Sequence, residues 1–225
     1  KNFNNNTYED LIQDEKINAI YISTLNNTHI DLIKEILKKE KKILCEKPVS
    51  VSLEDLIKIK KLILKKNIQF YEAIAYYSHP QTFDLINLIK NDEIGEIQSV
   101  ECNFGFKAKF NPSSRLFDKS LGGGCIHDVG CYPLSFLMLL TKNPEKIIIK
   151  SKTLTYAKSG VDDDATAILN CDNNFEGKIH VSLRKNLDNI CMIHGSKGFI
   201  KINEPWLPGQ NSIIEVSSNK HFYIK

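Results

Sequence analysis

Three short apolar runs separated by two helical segments fill the first third of the chain, and this alternation constrains the fold most strongly. The runs read as buried strands at residues 17–23, 42–45 and 68–73. The intervening helices follow the predicted N-caps Thr28 and Ser52. Strands joined by helices of about 10–15 residues are typical of right-handed βαβ units in a parallel sheet. The pattern therefore predicts an α/β fold with half of a doubly wound parallel sheet over residues 1–78.

The second strand ends abruptly at Glu46-Lys47-Pro48. Pro48 has no backbone N–H to donate to a sheet, so the strand must end there. Charged side chains that follow a buried strand lie where open α/β sheets bind their ligands. A surface ion pair at a strand-to-loop junction is an equally good interpretation of these residues alone.

The pattern changes after His79-Pro80. An amphipathic helix at residues 82–90 and an alternating strand at residues 97–104 come first, and further strand-like runs joined by turn signals follow residue 144. We predict a second, α+β domain over residues 79–225 with an open, mostly antiparallel sheet.

Within this second domain, Gly122-Gly123-Gly124 leads into a helix that contains Asp128, Tyr132 and Pro133. Pro133 should kink the helix. Asp128 and Tyr132 are four residues apart and share one helix face. The pKa of a phenol falls beside a cation, so Lys47 and Tyr132 could meet on a hydroxyl in a cleft between the domains, with Asp128 orienting them. The spacing alone favours a simpler interpretation, in which Asp128 and Tyr132 make only local hydrogen bonds.

Composition excludes several other classes of function. A net charge of +3 from 30 basic and 27 acidic residues indicates neither a nucleic-acid partner nor a membrane surface. No apolar run approaches the roughly 18 residues of a membrane span, and the first residues do not resemble a signal peptide. The six cysteines include no C-x-x-C pair, which favours the cytoplasm and gives no zinc pattern. No Gly-Lys-Ser/Thr follows the glycines, so a phosphate-binding P-loop is excluded as well.

Four ordered motifs carry a resemblance to a known family. They are Ser23-Thr24-Leu25-Asn26-Asn27-Thr28-His29, Leu44-Cys45-Glu46-Lys47-Pro48, Tyr71-Glu72-Ala73 with His79-Pro80-Gln81, and Gly122-Gly123-Gly124-Cys125-Ile126-His127-Asp128-Val129-Gly130-Cys131-Tyr132-Pro133. In this order they resemble the Gfo/Idh/MocA oxidoreductases, particularly the dihydrodiol/D-xylose dehydrogenase-like branch. The resemblance extends from about Tyr8 to Ile202.

The resemblance implies an NAD- or NADP-binding Rossmann domain followed by a domain whose sheet makes a homo-oligomer interface. It implies hydride transfer between the nicotinamide and a carbon of a sugar or vicinal diol. Lys47 would bond the reacting hydroxyl, Tyr132 would be the general acid/base, and Asp128 would assist it. The implied cofactor-binding residues are Thr24, Asn26, Asn27, His29, Glu46 and Lys47.

The roles of Arg115, His127 and His29 are open to more than one interpretation. We predict that Arg115 and His127 contact the substrate, although Arg115 could equally be a surface residue. His29, at a predicted helix start, is more commonly a capping or packing residue than a ligand.

Two departures from the family pattern qualify the prediction. None of the 11 glycines forms G-x-G-x-x-G, so roughly 50 or more residues that would cradle the pyrophosphate and select the ribose are expected upstream. We expect either a fragment of a longer product or a truncated, inactive relative that acts as a binding or oligomerising subunit. The branch also has Tyr-Arg before His-Pro, whereas this chain has Tyr76-Tyr77-Ser78 there.

Overall fold

A computed structural model of the chain describes residues 7–172, 174–218 and 222–225. The contacts divide these residues into two compact units. The first contains residues up to Ile74 together with Ser120–Gly122, and the second contains Ala75–Lys119 and Gly123–Lys225. The predicted domain boundary at residue 78 stays a prediction.

The first unit is a three-stranded parallel sheet with helices packed on it. Its elements are α1 (Tyr8–Gln13), β1 (Ala19–Ile22), α2 (His29–Lys38), β2 (Lys42–Glu46), α3 (Leu53–Lys66) and β3 (Phe70–Ala73). The strand order is β1-β2-β3, and both pairings are parallel. Ser52 caps α3 as predicted, because its hydroxyl accepts a hydrogen bond from the Asp55 N–H at 3.3 Å.

The strands of this sheet, predicted simply as buried, are buried on one face only among the described residues. Ile43 and Cys45 pack in an aliphatic core with residues of α2, including Ile33 and Ile36. On the other face, one row of paired residues is solvent-exposed, with Leu44 at 42% of its surface. Among the described residues, the apolar core of this unit lies on one face of the sheet, so side chains alternate in burial along β1 and β2.

The second unit is built on an eight-stranded mixed sheet. Its helices are α4 (Pro80–Lys90) and α5 (Cys131–Leu140), and its strands are β4 (Ile97–Gly105), β5 (Ile147–Tyr156), β6 (Asp162–Cys171), β7 (Phe175–Ser182), β8 (Cys191–Gly195), β9 (Gly198–Ile202), β10 (Ile214–Ser218) and β11 (Phe222–Ile224). The strand order is β11-β10-β9-β8-β4-β7-β6-β5. Only the β4–β7 pairing among these is parallel, which confirms the prediction of a mostly antiparallel sheet.

A π-helical turn at Ile126–Gly130 runs directly into α5. Pro133 has no N–H with which to make the α-helical bond to Val129, so the irregularity that the proline predicts takes the form of this wider turn just before it. The helical stretch Lys119–Leu140 has 22 residues, a mean hydropathy of 1.2 over its most apolar window and 61% of that window buried. Buried core helices commonly reach such values, so the stretch is weak evidence for a membrane span.

Candidate active site

The loop after β1 holds three of the predicted cofactor-binding residues, Thr24, Asn26 and Asn27, and His29 follows at the start of α2. Its residues Asn26–Thr28 form a 3₁₀ turn that continues into α2. The Thr24 and Thr28 hydroxyls lie 2.6 Å apart, and Thr28 Oγ1 also donates to the Leu25 carbonyl at 2.8 Å. Thr28 therefore precedes α2 as predicted but makes no capping bond, because its backbone is already helical.

This loop lines a cavity of about 690 Å³ at the carboxyl end of β1. Thr24 and Asn27 are among its lining residues, and Asn27 is exposed. Asn26 contacts a different neighbour, since its Nδ2 donates to the Gly122 carbonyl at 3.4 Å. The polar groups around this cavity suit the hydroxyls and amide of a nicotinamide riboside.

His29 is fully buried beneath the same loop. Its Nε2 lies 3.2 Å from the Thr24 carbonyl oxygen, and its Nδ1 lies 3.0 Å from the Pro48 carbonyl oxygen. Both ring nitrogens thus face backbone, and the ring joins the loop after β1 to the loop after β2. Any effect of His29 on a dinucleotide would pass through these two loops.

Glu46-Lys47-Pro48 ends β2 in the same unit, and neighbouring strands anchor it. Glu46 accepts a hydrogen bond from the Tyr21 hydroxyl, and this bond raises the pKa of Tyr21. The Val49 N–H donates to Glu72 of β3 at 3.0 Å. Lys47 is half-buried, and the Lys47–Pro48 peptide bond is cis. Tyr21 and Glu72 are therefore site residues that sequence reasoning missed, although the parallel strand order was a signal that could have placed them beside this loop.

Cys45, immediately before this motif, is a core residue. Its side chain has no exposed surface, and burial raises its pKa to about 12. The thiol therefore stays protonated at neutral pH and behaves as a small apolar group.

In the second unit, Asp128 lies on the π-helical turn and is 7% exposed. Arg115 Nη1 donates to Asp128 Oδ1 at 2.7 Å. The guanidinium itself remains about half exposed. Arg115, predicted as a substrate contact or a surface residue, therefore pairs with Asp128 in this structure.

Tyr132 lies one helical turn after Asp128, inside a cluster of aromatic rings. It is 7% exposed. Its ring meets Phe104 edge-to-face at a centroid distance of 5.3 Å, and the Tyr76 and Trp206 centroids lie 6.4 and 6.5 Å away. Packing of this kind fixes the ring in one orientation.

His127 precedes Asp128 and is half-buried. Its Nδ1 is buried and has no hydrogen-bond partner among the described residues. Because this nitrogen has no exposed surface, a substrate hydroxyl could bond it only after a local movement of the turn, and the predicted contact of His127 with substrate stays a prediction.

No group of three or more His, Cys, Asp or Glu side chains within residues 7–172, 174–218 and 222–225 is arranged to hold a metal ion.

Two protein-family models match overlapping parts of the chain. Residues 1–103 match an oxidoreductase family with an NAD-binding Rossmann fold, and residues 84–201 match the GFO/IDH/MocA C-terminal domain. The chain belongs to the Gfo/Idh/MocA oxidoreductase family. This membership confirms the resemblance of the four motifs, and it identifies the first unit as part of the family's NAD-binding Rossmann fold.

Relatives in the family include two dehydrogenases of different substrate classes. A trans-1,2-dihydrobenzene-1,2-diol dehydrogenase from Xenopus tropicalis is 28% identical over 97% of this chain and 65% of its own length. A D-xylose 1-dehydrogenase (NADP(+)) from Haloferax volcanii is 28% identical over 78% of this chain and 53% of its own length. The chain thus spans between about half and two-thirds of the length of these relatives.

Solved structures share the fold. A 3-ketoreductase from Actinomadura kijaniata, in complex with NADP and TDP-benzene, superimposes with a TM-score of 0.86 at 19% identity over 97% of this chain and 67% of its own. An aldose–aldose oxidoreductase from Caulobacter crescentus, complexed with glycerol, gives 0.86 at 18% identity over 97% and 65%. These likenesses confirm the fold class.

Proposed function

We propose that this chain is part of an NAD(P)-dependent dehydrogenase that transfers a hydride between the nicotinamide and a hydroxyl-bearing carbon of a sugar or vicinal diol. The observation that carries the proposal is the match of 97% of the chain to a diol dehydrogenase. The similarity to a D-xylose dehydrogenase supports the sugar alternative within the same chemistry.

The nicotinamide would supply the hydride chemistry, and the residues of this chain would handle the proton. In the direction of oxidation, the Lys47 ammonium would donate a hydrogen bond to the reacting oxygen and stabilise its developing negative charge. The hydroxyl proton would pass to the phenolate form of Tyr132, which becomes the neutral phenol as the carbon loses its hydride, and the phenol would return the proton in the reverse reaction. Asp128, held by Arg115, would orient the tyrosine, and His127 would bond a second substrate hydroxyl.

The described residues fit the nicotinamide riboside half of the cofactor better than its pyrophosphate. The loop after β1 offers polar groups to the nicotinamide and its ribose. No G-x-G-x-x-G occurs in the chain, so the pyrophosphate contacts are not assigned to any residue here. A second candidate function is that of a non-catalytic binding or oligomerising subunit, which would bind neither nucleotide.

Cofactor binding separates the two candidates. NADH and NADPH are titrated by nicotinamide fluorescence against the chain as given and against the chain extended by any in-frame upstream coding sequence. The dehydrogenase proposal expects saturable binding by at least one of these proteins, with turnover of D-xylose or trans-1,2-dihydrobenzene-1,2-diol. If neither protein binds either nucleotide, the subunit function is favoured instead.

Two variants test the assigned roles in the active protein. Lys47→Ala and Tyr132→Phe are each expected to lower kcat by about 10²–10⁴-fold, the usual effect of losing a proton-transfer group. Lys42→Ala, on an exposed strand position, and Tyr77→Phe, which loses the hydroxyl that donates to the Ser135 carbonyl, are the matched controls. Rates within a few-fold of wild type for Lys47→Ala or Tyr132→Phe would remove that residue from the mechanism.

We also infer a homo-oligomer formed through the open face of the second unit's sheet, and a cytoplasmic location. The family resemblance supports the oligomer. The six cysteines are all free thiols, in keeping with a reducing compartment.

A further inference from the structure

Asp162, at the start of β6, contacts the turn from which the helix of Asp128 and Tyr132 begins. The Ile126 N–H donates to Asp162 Oδ2 at 2.7 Å, and the Cys125 thiol donates to the same oxygen at 3.1 Å. The first N–H groups of a helix have no partner within the helix, and a carboxylate there also interacts favourably with the helix dipole. Asp162 therefore acts as a cap that is supplied by a different element.

Gly124 allows this contact because it has no side chain. Its φ is +120°, a conformation that L side chains rarely adopt. An added Cβ would lie 2.5 Å from Asp162 Oδ1 and 3.0 Å from its Cγ. The turn and the carboxylate are therefore in direct contact, and any side chain at position 124 would push them apart.

Backbone hydrogen bonds link Gly124 to the segment that carries the predicted catalytic residue Asp128. The Asp128 N–H donates to the Gly124 carbonyl at 3.0 Å, and the Gly124 N–H donates to the Leu116 carbonyl at 3.0 Å. Leu116 follows Arg115, whose guanidinium pairs with Asp128. The turn at Gly124–Ile126 is thus held in two ways. The Leu116 carbonyl accepts from its backbone, and the Asp162 carboxylate accepts from the Ile126 N–H and the Cys125 thiol.

The two aspartates that follow Asp162 have other partners. Arg184 binds Asp163 through both carboxylate oxygens at 3.0 Å. Asp164 accepts from His180 at 3.2 Å and pairs with Lys185 at 3.3 Å. Asp162 alone of the three bonds to the Cys125–Ile126 turn in the described contacts.

We propose that Asp162 is a positioning residue that fixes the helix start carrying Asp128 and Tyr132. Its catalytic consequence rests on the proposed function, because a displacement of about 1 Å at such groups can cost roughly 100-fold in rate. The positioning itself can be measured without turnover.

Cys125 serves as a built-in reporter of the turn. Its side chain has no exposed surface, and burial together with Asp162 raises the pKa of its thiol far above the ordinary value. Alkylation by iodoacetamide, followed residue by residue with peptide mass spectrometry, should therefore be slow in the wild-type chain. Cys171 and Cys191, buried in β6 and β8, report on the fold as a whole.

Asp162→Ala should raise the labelling rate of Cys125 by about 10- to 100-fold, the population effect of losing a hydrogen bond to a charged group. Cys171 and Cys191 should remain protected. Asp162→Asn removes the charge, which also lowers the pKa of the thiol, but it keeps an oxygen that can accept from Ile126, so its Cys125 should be labelled clearly more slowly than in Asp162→Ala. Asp164→Ala, which removes a carboxylate that does not touch the turn, should also leave Cys125 slow.

Four outcomes would overturn the proposal. These are unchanged Cys125 labelling in Asp162→Ala, equal acceleration of all three cysteines, acceleration in Asp164→Ala, and equal acceleration in Asp162→Asn, which would reveal an effect of charge alone. Gly124→Ala is the second variant. Its added methyl group should push the turn away from Asp162, although the Asp162 carboxylate itself is unchanged. A folded Gly124→Ala protein with slow Cys125 labelling would also contradict the proposal.

Kinetics then connect the turn to catalysis. In the active protein, Asp162→Ala should lower kcat by about 10- to 100-fold at unchanged KM for the nucleotide, and Asp162→Asn should recover most of kcat. Unchanged kcat in a variant with fast Cys125 labelling would refute the catalytic consequence. Absence of wild-type turnover would contradict the proposed function, while the labelling result would still decide whether Asp162 fixes the turn.

Discussion

His29 connects two backbone segments on which the predicted cofactor and catalytic residues of the first unit lie. One ring nitrogen faces the carbonyl of Thr24 and the other faces that of Pro48. A neutral imidazole can donate to only one of these carbonyls, whereas an imidazolium could donate to both. In either form the ring fills a site with no exposed surface. Its loss would leave a cavity and the Thr24 and Pro48 carbonyls without the ring beside them.

We expect His29→Ala to lower the free energy of unfolding by about 1–3 kcal/mol, the usual cost of leaving buried polar groups unpaired. Urea denaturation followed by circular dichroism measures this change. Asn27→Ala, at an exposed position two residues earlier, should change stability by less than about 0.5 kcal/mol. If His29→Ala matched the stability of Asn27→Ala, the ring would not be holding the two loops together.

At the scale of elements, β6 begins with three aspartates that tie it to different neighbours. Partial burial raises the pKa of Asp164, but hydrogen bonds from Ser182 and His180 outweigh it and hold the pKa below its ordinary value of 3.8. A depressed pKa in the folded state means that the carboxylate stabilises the fold above pH 3.8. That stabilisation is lost as the pH falls through the lower, folded-state pKa.

We therefore expect Asp164→Asn to be less stable than wild type by about 0.5–1 kcal/mol near pH 5, a modest value because the pair is partly solvated. The difference should shrink as the pH is lowered below about 3.8 and through the folded-state pKa. Urea denaturation at several pH values measures it. Glu96→Gln, at an exposed position, should show no such pH-dependent difference, and a constant difference for Asp164→Asn would rule out the carboxylate as its cause.

The sequence predicted the elements better than the contacts between them. Apolar spacing and the caps placed three strands and two helices of the first unit within a few residues, because local preference and burial pattern agree there. The exposed row containing Leu44 was missed, because an apolar run does not reveal whether one or both faces of a strand are covered. The π-helical turn before Pro133 was foreseen only as a kink.

For the candidate site too, the sequence predicted which residues belong to it better than which of them are in contact. Motif order identified Lys47, Asp128 and Tyr132 as candidates, but it could not show that Asp128 pairs with Arg115. Asp162 lies 36 residues from Ile126 in the chain, and their hydrogen bond depends on how β6 packs beside the turn. Contacts of this kind follow from tertiary packing, which no local pattern encodes.

At the scale of the whole molecule, the second unit leaves a broad face of its sheet open to solvent. Four neighbouring strands, β4, β7, β6 and β5, line a shallow cavity of about 640 Å³ on this face. Lys178 and Glu101 form an exposed ion pair there at 2.9 Å, and Ile168 lies on the same row. A stable dimer needs to bury roughly 800 Å² on each partner, which a sheet face of several strands can supply.

We expect the wild-type chain to run as a homo-oligomer in size-exclusion chromatography with light scattering, and Ile168→Glu to run as a monomer. In a two-fold interface each substituted residue lies close to the equivalent patch of the other copy, so the variant buries two added carboxylates together, each beside a Lys178 that Glu101 already pairs with. Leu64→Glu, at a position 69% exposed on α3 of the first unit, is the matched control and should keep the wild-type mass. A monomeric wild type, or an Ile168→Glu protein that remains oligomeric, would remove this face as the interface. Because the readout is mass alone, it tests the assembly independently of whether the chain binds a nucleotide.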